Sequence, residues 1–171
     1  MPLSPNAAVL FALTLAAAPP AVASQGRAFE GGSVERRLGE GPGSVAFTYR
    51  KTDTGPNGLG LDFGAGLFPA YLAVRRVRLQ IDAGFARTQF LGPGALILKA
   101  GMGSRLDLGL KPSLAPGLQA GAAAVIRLQR DCGLRVDLTR RVIFPGSGRV
   151  AQWSLGVGLT AMPARRPVPA P

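Results

Sequence analysis

The segment from Ala95 to Leu110 alternates strictly, and this alternation limits what the chain can fold into more than any other feature. All of its even-numbered residues except Ser104 are apolar, whereas its charged residues and its glycines stand at odd-numbered positions. Successive side chains of a β-strand point to opposite faces, so a period of two predicts a strand with one apolar and one polar face. The predicted strand is too long for a small soluble sandwich, and it suits a sheet with lipid on one side and a polar lumen on the other.

The same alternation recurs in six other segments that are separated by turn signals. Together, the predicted strands span residues 44–53, 59–67, 76–85, 95–110, 118–128, 134–144 and 152–161. A Gly-Pro-Asn-Gly sequence predicts a hairpin turn within residues 54–58. The Gly- and charge-rich segment 26–43 alternates only weakly around Val34, and it is either a first strand or a periplasmic arm. An eighth strand there gives the even count of single-chain bacterial barrels.

The beginning of the chain has the layout of an export signal. Residues 1–23 carry no charged side chain, and an apolar run is followed by two prolines and the small-residue site Ala21-Val22-Ala23. This pattern predicts a signal peptide that is cleaved before Ser24. No later segment offers 18 consecutive apolar residues, so membrane helices are not expected. We therefore predict a signal peptide at 1–23, a barrel domain at 24–162 with a weakly defined start at 24–43, and a disordered tail at 163–171.

The charge balance indicates how the two faces of the strands are used. The chain has a formal net charge of +11 and yet a mean hydropathy of +0.22, which is possible when apolar and charged residues occupy opposite faces of the same strands. A soluble barrel turns its apolar face inward and has a densely charged outer face. Here the polar face is diluted with Gly, Ala and Thr and holds both signs of charge, as suits a narrow lumen. The predicted lumenal charge network consists of Arg50, Asp62, Arg76, Arg78, Asp82, Lys99, Arg105, Asp107, Arg127, Arg135 and Asp137.

With these features, the chain resembles the small, eight-stranded outer-membrane β-barrel proteins of Gram-negative bacteria, from about residue 24 or 44 to Ala161. The most specific part is the last strand, where Ser154, Gly156, Leu159 and Ala161 look like the assembly signal of that family. The resemblance implies an all-β, antiparallel, up-and-down transmembrane β-barrel of about eight strands in the bacterial outer membrane. It also implies outer-membrane lipid and the barrel assembly machinery as partners.

Several basic positions outside the predicted network are candidates for surface contacts. They either bind the phosphates of lipopolysaccharide and anionic headgroups or serve as ordinary solubilising charge. These positions are Arg36, Arg37, Arg140, Arg141, Arg149, Arg165 and Arg166.

The residue types that most enzymes need are missing or unsuitably placed. The chain has no histidine, which excludes Ser-His-Asp and Cys-His catalysis and histidine-bound zinc. Its one cysteine, Cys132, forms no intramolecular disulfide. The acidic residues share their strand face with arginines, which favours ion pairs over proton transfer. We therefore expect no catalytic residues, no metal and no cofactor. We also expect no nucleic-acid partner, since the arginines alternate into strands and aromatic residues for stacking are few.

The sequence thus predicts a structural, envelope or surface-interaction barrel without general porin activity. An eight-stranded interior is only wide enough for its own side chains. The alternative is a soluble periplasmic or secreted barrel that encloses its apolar faces around a hydrophobic ligand. The sequence leaves the oligomeric state open.

Overall fold

The computed structural model describes residues 27–38, 45–55, 57–69, 77–109, 111–146 and 148–162. The predicted signal peptide and the predicted tail lie outside these residues. No helix in the described ranges is long and apolar enough to cross a membrane. The described residues form eight strands: β1 Arg27–Leu38, β2 Val45–Thr54, β3 Leu59–Phe68, β4 Val77–Leu91, β5 Gly94–Leu108, β6 Ser113–Arg127, β7 Cys132–Ile143 and β8 Val150–Ala161.

These strands close into one barrel in which each strand is antiparallel to the next. The segment around Val34 forms β1, which closes the barrel by pairing with β8 from Glu30 opposite Ala161 to Leu38 opposite Trp153. Closure leaves no strand edge, so the backbone polar groups of the wall pair with neighbouring strands. The predicted all-β, up-and-down barrel of about eight strands is confirmed.

The side chains face the opposite way from those of a soluble barrel, in which apolar residues point inward and charged residues point outward. Large apolar residues face outward, with Phe85 73% exposed and Met102 66% exposed. Charged residues face inward, with Asp62 and Arg37 each 1% exposed. The period of two that the sequence shows is therefore the alternation between an apolar outer face and a polar interior. A soluble barrel around an apolar ligand requires the opposite arrangement, so the structure does not support that alternative.

The connections at the two ends of the barrel differ in length. One end holds the start of β1, the end of β8 and three connections of two to four residues, and we call it the turn end. The other end holds four connections of four to eight residues, and we call it the loop end. Two turn-end glycines adopt positive φ angles, Gly58 at 76° and Gly92 at 54°, in a region that other residues rarely adopt. Gly58 lies in the hairpin turn that the sequence predicted.

Candidate functional site

The turn end of the barrel interior is filled by an apolar plug. Its residues come from inward-facing positions of several strands and from the residue that follows β8. They are Phe29, Ala86, Ala95, Ile97, Ala123, Val125 and Met162. Phe29 and Ile97 have no exposed surface, and the backbone N–H of Met162 donates to the carbonyl of Asp131 at 3.0 Å. The plug therefore closes the turn end of the lumen.

Above the plug, the middle of the lumen is occupied by buried ion pairs that begin at Arg141. This guanidinium donates to Glu35 with an Nη1–Oε1 distance of 2.5 Å and to Asp82 with an Nη2–Oδ2 distance of 2.8 Å. Arg50 reaches the same Oδ2 atom of Asp82 through its Nη2 atom, also at 2.8 Å, and its Nη1 atom donates to Asp62. Asp82 is thus shared by two arginines from different strands.

The ion pairs continue toward the plug through β2 and β7. Asp62 accepts a hydrogen bond from Thr52 at 2.7 Å, and Thr52 accepts one from Arg135 at 3.1 Å. Arg135 in turn binds Asp137 with an Nε–Oδ2 distance of 2.8 Å. Lys99 completes the series, because its Nζ atom lies 2.5 Å from Oδ1 of Asp137. One connected set of polar contacts therefore runs from β1 to β5 across the lumen.

We call the charged members of this set the central network. It comprises four cations and four carboxylates, so its formal charge is zero. The members are Glu35, Arg50, Asp62, Asp82, Lys99, Arg135, Asp137 and Arg141. They come from six of the eight strands.

Because the charges of the central network are buried, the stability of the barrel depends on their pairing. Each member of the central network is at most 5% exposed. A buried charge loses its hydration, and the loss is offset only when well-placed partners and further hydrogen bonds satisfy it. Such bonds are present: Ser154 accepts from Arg141 at 2.6 Å, and Gln80 donates to Asp82 at 3.1 Å. Since each carboxylate of the network faces a cation, the arrangement suits cross-strand stabilisation and not proton transfer.

The structure brings together six of the residues in the predicted lumenal charge network. Arg50, Asp62, Asp82, Lys99, Arg135 and Asp137 belong to the central network. Three others form a separate group toward the loop end, where Nε of Arg78 lies 2.5 Å and Nε of Arg105 lies 3.5 Å from carboxylate oxygens of Asp107. Arg127 lies at the turn end and donates to the carbonyl of Arg130. Arg76 is outside the described residues.

The sequence analysis missed three charged residues of the interior. Arg37 and Arg141 were grouped with surface basic residues, but they are 1% and 2% exposed, and Glu35 was not selected. Arg37 lies over the ring of Phe68 at 3.9 Å and donates to Gln80 at 3.2 Å. Arg141 could have been found from parity, because it shares its strand face with Arg135 and Asp137. Their neighbours Arg36 and Arg140 are exposed, as predicted.

The described residues contain no group of three or more His, Cys, Asp or Glu side chains that could hold a metal ion. The predicted assembly signal lies in β8, where Ser154 points inward and is 1% exposed, whereas Leu159 points outward and is 53% exposed. That an assembly machinery recognises this signal stays a prediction.

A closed antiparallel barrel of eight strands, with a charged interior and an apolar outer face, is the architecture of outer-membrane β-barrel proteins. The fold and the charged interior of this chain are those of that class.

Among solved structures, the chain is similar to the Yersinia pestis outer membrane protein Ail. The backbone structure of Ail in a phospholipid bilayer nanodisc has 11% sequence identity and a TM-score of 0.46, covering 79% of this chain and 99% of Ail. The crystal structure of Ail, the attachment invasion locus protein, in complex with the heparin analogue sucrose octasulfate has 13% identity and a TM-score of 0.42, covering 80% and 99%. No protein-family model and no curated protein matches the chain.

Proposed function

We propose that this protein is a structural or surface-interaction barrel of the bacterial outer membrane and that it is not a solute pore or an enzyme. The observation that carries the proposal is the inverted arrangement of side chains, in which leucines, valines and phenylalanines face outward while ion pairs fill the lumen. An apolar outer face of this extent is stable against acyl chains and not in water. Strands of 10 to 15 residues are long enough to cross the hydrocarbon region when tilted.

The filled lumen supports the absence of general porin activity. The apolar plug occupies the turn end and the central network occupies the middle, so we expect no continuous aqueous path for sugars or amino acids. Eight-stranded barrels are in general filled by their own side chains. We therefore propose that the protein acts through the outer wall and the connections of the barrel, and not through its lumen.

The connection lengths support an orientation in the membrane. Outer-membrane barrels have short periplasmic turns and longer extracellular loops. On this basis the turn end faces the periplasm and the loop end faces outward. The predicted signal peptide at 1–23 agrees with this orientation, because β1 starts at the turn end. We further propose that the barrel assembly machinery recognises β8 through Ser154, Gly156, Leu159 and Ala161, and that lipopolysaccharide contacts the outer wall.

Fractionation of a Gram-negative host that expresses the chain tests this proposal. We expect the protein in the outer-membrane fraction, extractable by detergent and migrating differently on gels before and after boiling, since folded barrels resist unfolding by detergent. Release by osmotic shock would instead identify a soluble periplasmic protein.

A vesicle assay tests the absence of a pore. We expect vesicles that contain the folded protein to take up small sugars no faster than protein-free vesicles, whereas a porin included as positive control permits rapid uptake. Sugar uptake near the porin rate contradicts the interpretation of the lumen as filled.

A further inference from the structure

The charged residues on the outer wall differ between the two ends of the barrel. At the turn end both signs occur: Lys51 lies 3.9 Å from Asp53, and Glu30 accepts a hydrogen bond from Tyr49. At the loop end the outward-facing charges of the described residues are cationic only. They are Arg36 on β1 and Arg140 on β7, with Lys111 and Arg149 exposed in the adjacent connections. The outer wall is therefore balanced at one end and basic at the other.

The register places Arg36 and Arg140 on either side of β8. Arg36 pairs with Leu155, and Arg140 pairs with Trp153, two residues away on the same face of the same strand. Neighbouring strands are about 4.8 Å apart and two residues of a strand rise about 7 Å, so the two arginine backbones are about 12 Å apart across the outer wall. Trp153 lies between them and is 45% exposed. We call these three residues the arginine-tryptophan patch.

The environment of the patch favours the binding of an anion from outside the protein. An arginine that faces acyl chains is unfavourable unless its charged group reaches the interface or meets an anion. Neither Arg36 nor Arg140 has an acidic partner among the described residues. The guanidinium of Arg140 lies 5.6 Å from the centre of the Trp153 ring, a cation–π contact that holds it against the wall. Tryptophan itself favours the boundary between acyl chains and headgroups, which is where lipid phosphates lie.

We propose that the arginine-tryptophan patch binds phosphate groups of lipopolysaccharide in the outer leaflet. Arginine donates paired N–H groups that match the geometry of phosphate oxygens. Two arginines with backbones about 12 Å apart can each contact a separate phosphate of a headgroup that carries more than one. The inference rests on the proposed function, because the loop end faces the outer leaflet only in the orientation given above. It goes beyond that function by naming the site and the chemical group that it recognises.

The single tryptophan of the chain makes the site directly observable. The full chain is folded into phosphatidylcholine nanodiscs that contain increasing fractions of either lipopolysaccharide or its enzymatically dephosphorylated form. Trp153 fluorescence and the lipid retained per barrel after purification are both measured. We expect a saturable fluorescence change and lipid retention with the phosphorylated lipid and not with the dephosphorylated form, and no fluorescence change when inorganic phosphate is added to nanodiscs without lipopolysaccharide.

Charge-removing variants locate the interaction. Arg36→Gln and Arg140→Gln are each expected to raise the half-saturating lipid fraction about fivefold, and the double variant roughly 30-fold. The matched control is the double variant Lys51→Gln and Arg87→Gln, which removes two outward cations at the turn end and should bind like the unmodified protein. Arg36→Lys keeps the charge but not the paired N–H groups, so it should bind more strongly than Arg36→Gln and more weakly than the unmodified protein, an order that disturbed packing does not predict.

The outcomes separate this inference from the proposed function. Equal retention of dephosphorylated lipid, or equal weakening in the Lys51 and Arg87 control, overturns the phosphate site while leaving a membrane barrel intact. The same saturable fluorescence change with inorganic phosphate alone, in nanodiscs without lipopolysaccharide, overturns the assignment to a lipid. Failure of the unmodified chain to enter the outer-membrane fraction overturns the proposed function itself.

Discussion

Replacing Asp82 by asparagine is expected to lower the free energy of unfolding by about 3 kcal/mol, near the lower end of the cost of breaking a buried ion pair. Asp82 is 2% exposed and accepts hydrogen bonds from both Arg50 and Arg141. Asparagine keeps the shape and one acceptor oxygen but removes the charge, so two guanidinium groups lose their shared counter-ion. Urea unfolding of the refolded barrel, followed by Trp153 fluorescence and by the heat-dependent gel shift, measures the change.

Two further variants show whether charge balance is the cause. Asp53→Asn removes a carboxylate from an exposed pair with Lys51, and it is expected to change stability by less than about 0.5 kcal/mol. Combining Asp82→Asn with Arg50→Met restores neutrality and leaves Arg141 paired with Glu35. We therefore expect this double variant to be more stable than Asp82→Asn alone. If Asp82→Asn costs no more than Asp53→Asn, the central network does not stabilise the barrel.

Which face each strand turns inward could be predicted from the sequence, because parity is a local property. Lys99 and Arg105 share odd numbers in β5, and both point into the lumen as expected. Which acid each cation meets could not be predicted. Arg141 and Glu35 are 106 residues apart, and their contact depends on how far each strand is shifted around the closed barrel. Parity fixes the direction of a side chain but not its depth in the lumen.

The bounds of two strands show a second limit. The alternation of β1 is interrupted by adjacent glycines and by the outward-facing Arg36, so its place in the sheet is determined mainly by pairing with β2 and β8. β6 starts at Ser113, five residues before the predicted start, although Pro116 lacks an N–H group. The carbonyl of Pro116 still accepts a hydrogen bond from Phe144 at 2.8 Å, which keeps the strand paired. Neighbouring strands thus extend elements that local patterns predict as shorter.

Replacing Leu138 by arginine is expected to destabilise the barrel in lipid vesicles by about 2–4 kcal/mol, the cost of a cation at the middle of the bilayer. Leu138 lies near the centre of β7, faces outward and is 43% exposed. The residues that pair with it on the adjacent strands β6 and β8 are Ala122 and Leu155, neither of which can neutralise the charge. In a soluble barrel the same exposed substitution would be nearly neutral, since water would solvate the guanidinium.

The matched control is the same substitution at a position closer to the membrane surface. Leu114 is the second residue of β6, close to the loop end, and it is 66% exposed. The same change there places the cation near the headgroups, so Leu114→Arg is expected to cost only about 0–1 kcal/mol. Equilibrium unfolding of both variants in vesicles of the same lipid gives the two costs directly. Equal costs at the two positions would mean that the apolar outer face does not lie against acyl chains.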